Sequence, residues 1–180
     1  MKKEMFSDRF DLTEMVINSY KTNTRRISKH QSWSFHEIVN VNENHYYEDN
    51  YCTPKYKIGE VVAIAQKYKD IPLLKETDLY VDEGWKNKMF VRSEYMPHQI
   101  QITDIKIERL QDISYKECLE EGIRQFPRGN YYYYDRKYKR SCFMFKSARE
   151  AFASLIDKIC GKGTWESNPY VFAYEFKLIK

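Results

Sequence analysis

The sequence has no Cys-x-x-Cys pair. Its cysteines, Cys52, Cys118, Cys142 and Cys160, are widely scattered and none has a histidine couple at metal spacing, so the usual zinc signatures are missing. They read as buried or idle thiols, and neither a metal nor another cofactor is expected. His30, His36, His45 and His98 are singletons without a carboxylate or cysteine at ligand spacing, which reads as exposed or idle. No apolar run approaches the roughly 20 residues of a membrane-spanning helix. The opening stretch, Met1 to Asp8, is too acidic and too poor in apolar residues for a secretory leader. A soluble, cytoplasmic protein that meets no membrane is expected. Acids are also scarce between Arg124 and Arg149, where eight basic residues face Asp135 alone; the whole chain carries only +4, so the remainder is slightly acidic.

What is present reads as globular. The chain has 180 residues, 42% hydrophobic and 16% aromatic, enough large apolar area to offset chain entropy. One domain over 1–180 is expected, and a chain this long buries roughly 70% of its unfolded surface without a staple.

Asp11-Leu12-Thr13-Glu14 has capping-box spacing, with Leu12, Met15, Val16 and Ser19 on one face, predicting a helix over 12–20. Residues 30–56 suggest a strand or two leading into an irregular, asparagine-rich loop. Tyr56 to Glu60 read as a turn feeding a buried strand, Val61 to Ala65, with Gly59 allowing the bend. From 67 to 97 the periodicity weakens and only short elements are expected. Ile100, Ile102, Ile105 and Ile107 alternate in two pairs with parity broken at Thr103-Asp104, the pattern of a strand with one bulge. Ser114 to Glu117 is a second capping box, opening a helix that Gly122 would end. Ser147 to Glu150 is a third, opening a helix with Ala148, Phe152, Leu155, Ile156 and Ile159 on one stripe and Gly161 beyond it. The alternation from Tyr170 to Ile179 predicts a central strand with two largely apolar faces. Between them, 124–146 holds an aromatic and basic run that reads as an inserted loop or hairpin.

Lys21-Thr22-Asn23-Thr24-Arg25-Arg26, following a short helix, resembles the signature of ASCH domains, a branch of the PUA-like superfamily of small β-barrels associated with RNA and modified nucleosides. Gly59 to Val62, Ile102 to Ile123, and Tyr170 to Leu178 are similar to that family's strand start, its strand followed by a helix, and its terminal strand. From about 84 onward the chain is also similar to phage- and prophage-encoded ASCH-like proteins, through Trp85-Lys86, Met96-Pro97, Glu108 to Ile113 and Trp165 to Pro169. The resemblance implies an α+β fold: a small mixed β-barrel of PUA-like, ASCH type, flanked by short helices.

It also implies a cleft lined by Lys21, Thr24, Arg26 and Glu121 that holds RNA or a modified nucleoside. Some compact ASCH proteins are amidohydrolases that deacetylate N4-acetylcytidine, and Lys21, Thr24 and Glu121 match their catalytic positions. The roles are chemically coherent: a desolvated lysine takes the threonine proton, the hydroxyl attacks the amide carbonyl, and a carboxyl serves the leaving amine. A carboxyl in a helix's last turn also meets the negative end of the dipole, which suits it to hold a proton. Arg25 stands where that motif carries an apolar residue.

A non-catalytic reading assigns phosphate contacts to Lys21, Arg25, Arg26, Arg136 and Lys137, with bases stacking on Tyr132 and Tyr134. Against it, four successive tyrosines can be one flank of a hairpin whose alternate rings pack inward. Trp33, Trp85 and Trp165 read as packing residues. A third reading is an interaction protein of a phage or mobile element, without catalysis.

Overall fold

In a computed structural model describing residues 1–28, 54–127, 129–138 and 144–180, five strands form one mixed sheet. These are β1 (Lys3–Glu4), β2 (Asn23–Ile27), β3 (Val61–Ile64), β4 (Gln99–Arg109) and, after a separate hairpin of β5 (Arg124–Gln125) and β6 (Tyr131–Tyr132), β7 (Tyr170–Leu178). Their order is β1-β3-β4-β7-β2, with β1 parallel to β3 and the other pairs antiparallel. The terminal strand is thus central, as its two apolar faces require. The bulge falls between Ile102 and Asp104. One extra residue restores parity, so Ile100, Ile102 and Ile105 are all buried.

The expected barrel does not close: among the described residues β1 and β2 are open edges. A closed barrel needs a backbone ladder between its edges, and β1 offers only two residues. Side chains bridge the seam instead. Arg26 of β2 donates through Nε to Glu4 Oε1 at 3.0 Å, and the same carboxylate accepts from Lys55 Nζ at 2.9 Å and from the Tyr56 hydroxyl.

Among the described residues four α-helices accompany the sheet: α1 (Leu12–Ile17), α2 (Tyr115–Glu120), α3 (Ala148–Cys160) and α4 (Thr164–Ser167). The box expected at Asp11 does not form. Asp11 adopts φ 65° without a side-chain cap, because its carboxylate pairs with Arg136 at 2.5 Å. The helix also stops short of 20, since Ser19 turns to φ 58° and the amides of Tyr20 and Lys21 both return to the Met15 carbonyl. At α2 the box is complete: Ser114 Oγ accepts from the Glu117 amide at 3.3 Å, and Glu117 Oε2 from the Ser114 amide at 2.8 Å. Gly122 follows at φ 109°, where an added Cβ would lie 2.8 Å from Leu12 Cδ2, so only glycine lets this turn approach α1. α3 is capped by Ser147 and buries Ala148, Ala151, Phe152, Leu155 and Ile156 in the main core with Phe10, Met15, Ile105 and Phe172.

The tyrosine run splits by the pleat. Tyr133 is buried against Phe10 and Phe145, and Tyr131 packs on the core, while Tyr132 and Tyr134 take the opposite parity. The 67–97 excursion is a chain of short 3-10 turns over a second cluster of Tyr68, Ile71, Val91 and Met96. Trp85 and Trp165 pack at the margins of the two clusters. Trp33, His30, His36, His45, Cys52, Cys142 and most of the strand expected over 30–56 lie outside the described residues. Among those described, no helix is long and apolar enough to cross a membrane, and no cluster of metal-ligating side chains occurs.

Candidate functional site

The open seam contains a cavity of about 240 Å³. Met5, Phe6 and Ser7, just beyond β1, form one side; Thr24 to Arg26 of β2 form another; Phe152, Leu155, Ile156 and Cys160 of α3 make an apolar wall; Lys21 and Glu121 complete the lining. The α3 stripe thus serves both core and cavity, which periodicity alone could not distinguish. Lys21, Thr24, Arg26 and Glu121, expected together from the resemblance, line this one space.

Lys21 is 2% exposed. The turn after α1 delivers it, and its ammonium donates to the Asn23 carbonyl at 2.6 Å, the Glu121 carbonyl at 2.9 Å and Glu121 Oε2 at 2.6 Å. All three donors of an ammonium are engaged. Burial pulls its pKa down, Glu121 opposes this, Arg26 and Arg25 add to it, and the net direction is downward. Glu121 sits at the C-cap of α2 and accepts through Oε1 from Arg25 Nη1 at 3.2 Å. Each of its oxygens faces a cation, Oε2 toward Lys21 and Oε1 toward Arg25.

Thr24 is buried at 3% exposure, yet it lines the cavity, and its hydroxyl makes no hydrogen bond among the described residues. It shares a sheet face with Arg26, while Arg25 takes the opposite parity. That parity redirects Arg25, offered by the sequence as a phosphate contact. Its guanidinium, 1% exposed, donates through Nε and Nη2 to Glu108 Oε1 at 2.8 and 2.6 Å and pairs with Glu117 at 3.3 Å as well as Glu121. A guanidinium so buried and so enclosed by three carboxylates is not open to a phosphate. Burial, with Glu117 adding to it, raises the Glu108 pKa despite Arg25. For Glu117 burial also works upward, but the Ser114 hydrogen bonds and Arg25 outweigh it.

The outer contacts expected for RNA lie away from this cavity. Arg136 is tied to Asp11; Lys137 is exposed beside the Tyr138 ring; Tyr132 and Tyr134 sit on the hairpin. Sequence reasoning missed Glu4, which fixes Arg26, and the Glu108 and Glu117 carboxylates, whose only signal was the strand parity of Arg25. Cys160 lines the cavity with its thiol pKa raised by burial, and burial pushes Cys118 up to about 11, a direction that disfavours the reactive thiolate in both.

Glu4 gives the seam a pH dependence. Burial works to raise its pKa, but Arg26, Tyr56 and Lys55 together bring it below the usual 4.5. A carboxylate with a lowered folded pKa contributes stability above its unfolded value that is lost as pH falls through the folded one. Thermal melting of the wild type should therefore drop below pH 4.5 more steeply than that of Glu4→Gln. Parallel curves would remove the seam from the acid response.

No family model and no curated protein matches the sequence. One solved structure aligns, that of protein EF3133 from Enterococcus faecalis V583, described under DUF984, at 11% identity and a TM-score of 0.41 over 99% of this chain and 81% of that one. Likeness at this level identifies neither fold family nor activity.

Proposed function

We propose that the seam cavity binds a single nucleobase-like ligand, such as a modified nucleoside, in an ASCH-type, PUA-like domain. The observation carrying this reading is that Lys21, Thr24, Arg26 and Glu121 line one cavity opposite an apolar wall. A flat heterocycle has the same two-sided character, with apolar faces and a hydrogen-bonding edge. The volume, about 240 Å³, falls below the roughly 300 to 1,000 Å³ of drug-sized pockets, which suits one base or nucleoside and excludes a folded polynucleotide.

Amide hydrolysis on an N-acylated nucleoside is a second reading, favoured by the unpartnered Thr24 hydroxyl in the same cavity as the Lys21–Glu121 pair. The hydroxyl would add to the acetyl carbonyl of N4-acetylcytidine while the Lys21 amine takes its proton. Collapse of the tetrahedral adduct would return that proton to the departing cytidine amine, and water would then release acetate from the threonine ester. The downward direction of the Lys21 pKa moves the amine toward the required neutral form.

Calorimetric titration with cytidine and N4-acetylcytidine, together with an acetate-release assay, tests both readings. Saturable 1:1 binding lost in Lys21→Ala supports the ligand site, and acetate release supports the second reading. Absence of both binding and release overturns them.

A further inference from the structure

The four outward side chains of the tyrosine hairpin have no role in the cavity. Register pairs Arg124 with Tyr132, and residues two apart share a face, so Arg124, Phe126, Tyr132 and Tyr134 project to the same side. Phe126 stacks on Tyr132 at 4.2 Å between ring centroids, and Tyr132 meets Tyr134 edge to face at 5.4 Å. The Arg124 guanidinium then lies 4.8 Å from the Tyr134 ring and 5.8 Å from that of Tyr20. Tyr20 is 67% exposed.

Arg124 differs from the arginines assigned to phosphate. Arg25 is enclosed by three carboxylates, Arg26 is held by Glu4 and Arg136 by Asp11. Among the described residues, the Arg124 guanidinium has neither a carboxylate nor a hydrogen-bond acceptor. Two aromatic rings hold it in place while its five N–H donors remain available. A cation fixed by its faces with its edge vacant is complementary to an anion, and the flanking row of rings is complementary to flat heterocycles. Phosphates alternating with bases offer both.

We propose that Tyr20, Arg124, Tyr134, Tyr132 and Phe126 form a binding strip for single-stranded nucleic acid, with Arg124 on a phosphate and the rings stacking on adjacent bases. The strip is distinct from the cavity and does not depend on its ligand. It does begin beside it: Tyr20 precedes Lys21, and Arg124 lies three residues after Glu121.

The test is fluorescence anisotropy of the full chain with a labelled unstructured 12-nucleotide RNA at several salt concentrations. Wild type should bind. Arg124→Ala should weaken binding at least ten-fold and reduce the magnitude of the log–log salt slope by roughly 0.7, the share of one phosphate on a single strand. Tyr134→Leu should cost roughly ten-fold, and Arg124→Lys, which keeps charge but loses the stacked plane, should be intermediate. Lys177→Ala removes one exposed charge from β7 and serves as a matched control. No binding by wild type overturns the strip. Equal losses for Arg124→Ala and Lys177→Ala also overturn it, since they would indicate diffuse charge alone. If Arg124→Ala fails to fold, Tyr134→Leu and Arg124→Lys carry the same decision. Loss of nucleoside binding in the cavity, with strand binding intact, would count against the cavity reading only.

Discussion

Replacing Arg25 with methionine should lower stability by about 3 to 5 kcal/mol, the cost of breaking a buried ion pair by removing one partner. Methionine follows the same path through the packing, so the loss arises from charge. Glu108, Glu117 and Glu121 would face one another without the guanidinium that now pairs with all three. The pH dependence has a definite sign. Without Arg25 the carboxylates repel, and Glu108, whose folded pKa is already raised, moves further above its unfolded value, so its contribution is favourable below the unfolded pKa and lost as pH rises through the folded one. Glu108 already leans that way in the intact protein, raised by burial despite Arg25. Arg25→Met should thus be most destabilised near neutrality and recover toward pH 4, and adding Glu108→Gln should restore part of the loss at pH 7. Chemical denaturation across pH measures this. A variant that melts like wild type at pH 7 would mean that Arg25 is not the hub of the cluster.

Arg25 also marks where sequence reasoning reached its limit. Within Lys21-Thr22-Asn23-Thr24-Arg25-Arg26 it reads as one more surface cation, because its partners Glu108 and Glu121 lie 83 and 96 positions away. Features set by neighbouring residues were legible. The β4 bulge was visible as a break in isoleucine parity, the α2 cap as Ser114 and Glu117, and the division of the tyrosine run as alternation along a hairpin. Features set by distant partners were not. Asp11 has the composition and spacing of a helix cap, but Arg136, 125 positions away, claims its carboxylate. Barrel closure was equally hidden, since it depends on the meeting of two edges and β1 is too short to supply a ladder. The grouping of Lys21, Thr24 and Glu121 followed from resemblance alone; nothing in their spacing requires a shared cavity.

Thr24→Val separates the two functional readings most sharply, because it should leave stability nearly unchanged while removing the hydroxyl that the chemistry needs. Valine keeps the β-branched shape that suits strand β2 and exchanges only a hydroxyl for a methyl. That hydroxyl borders the cavity and makes no hydrogen bond among the described residues, so the melting temperature should change little. If Thr24 is the nucleophile of an amide hydrolysis, acetate release should fall at least about 100-fold, the low end of what a positioned proton-transfer partnership supplies. If the cavity only binds its ligand, the same change removes at most one hydrogen bond, and nucleoside affinity should fall less than about ten-fold. The pH profile gives a further distinction. A Lys21 base acts in its neutral form, so wild-type turnover should increase as pH rises toward the lowered Lys21 pKa, whereas binding through an ammonium would weaken over the same interval. Turnover in Thr24→Val equal to wild type would eliminate the hydroxyl as nucleophile, and a large fall in melting temperature would show that the hydroxyl has a structural partner.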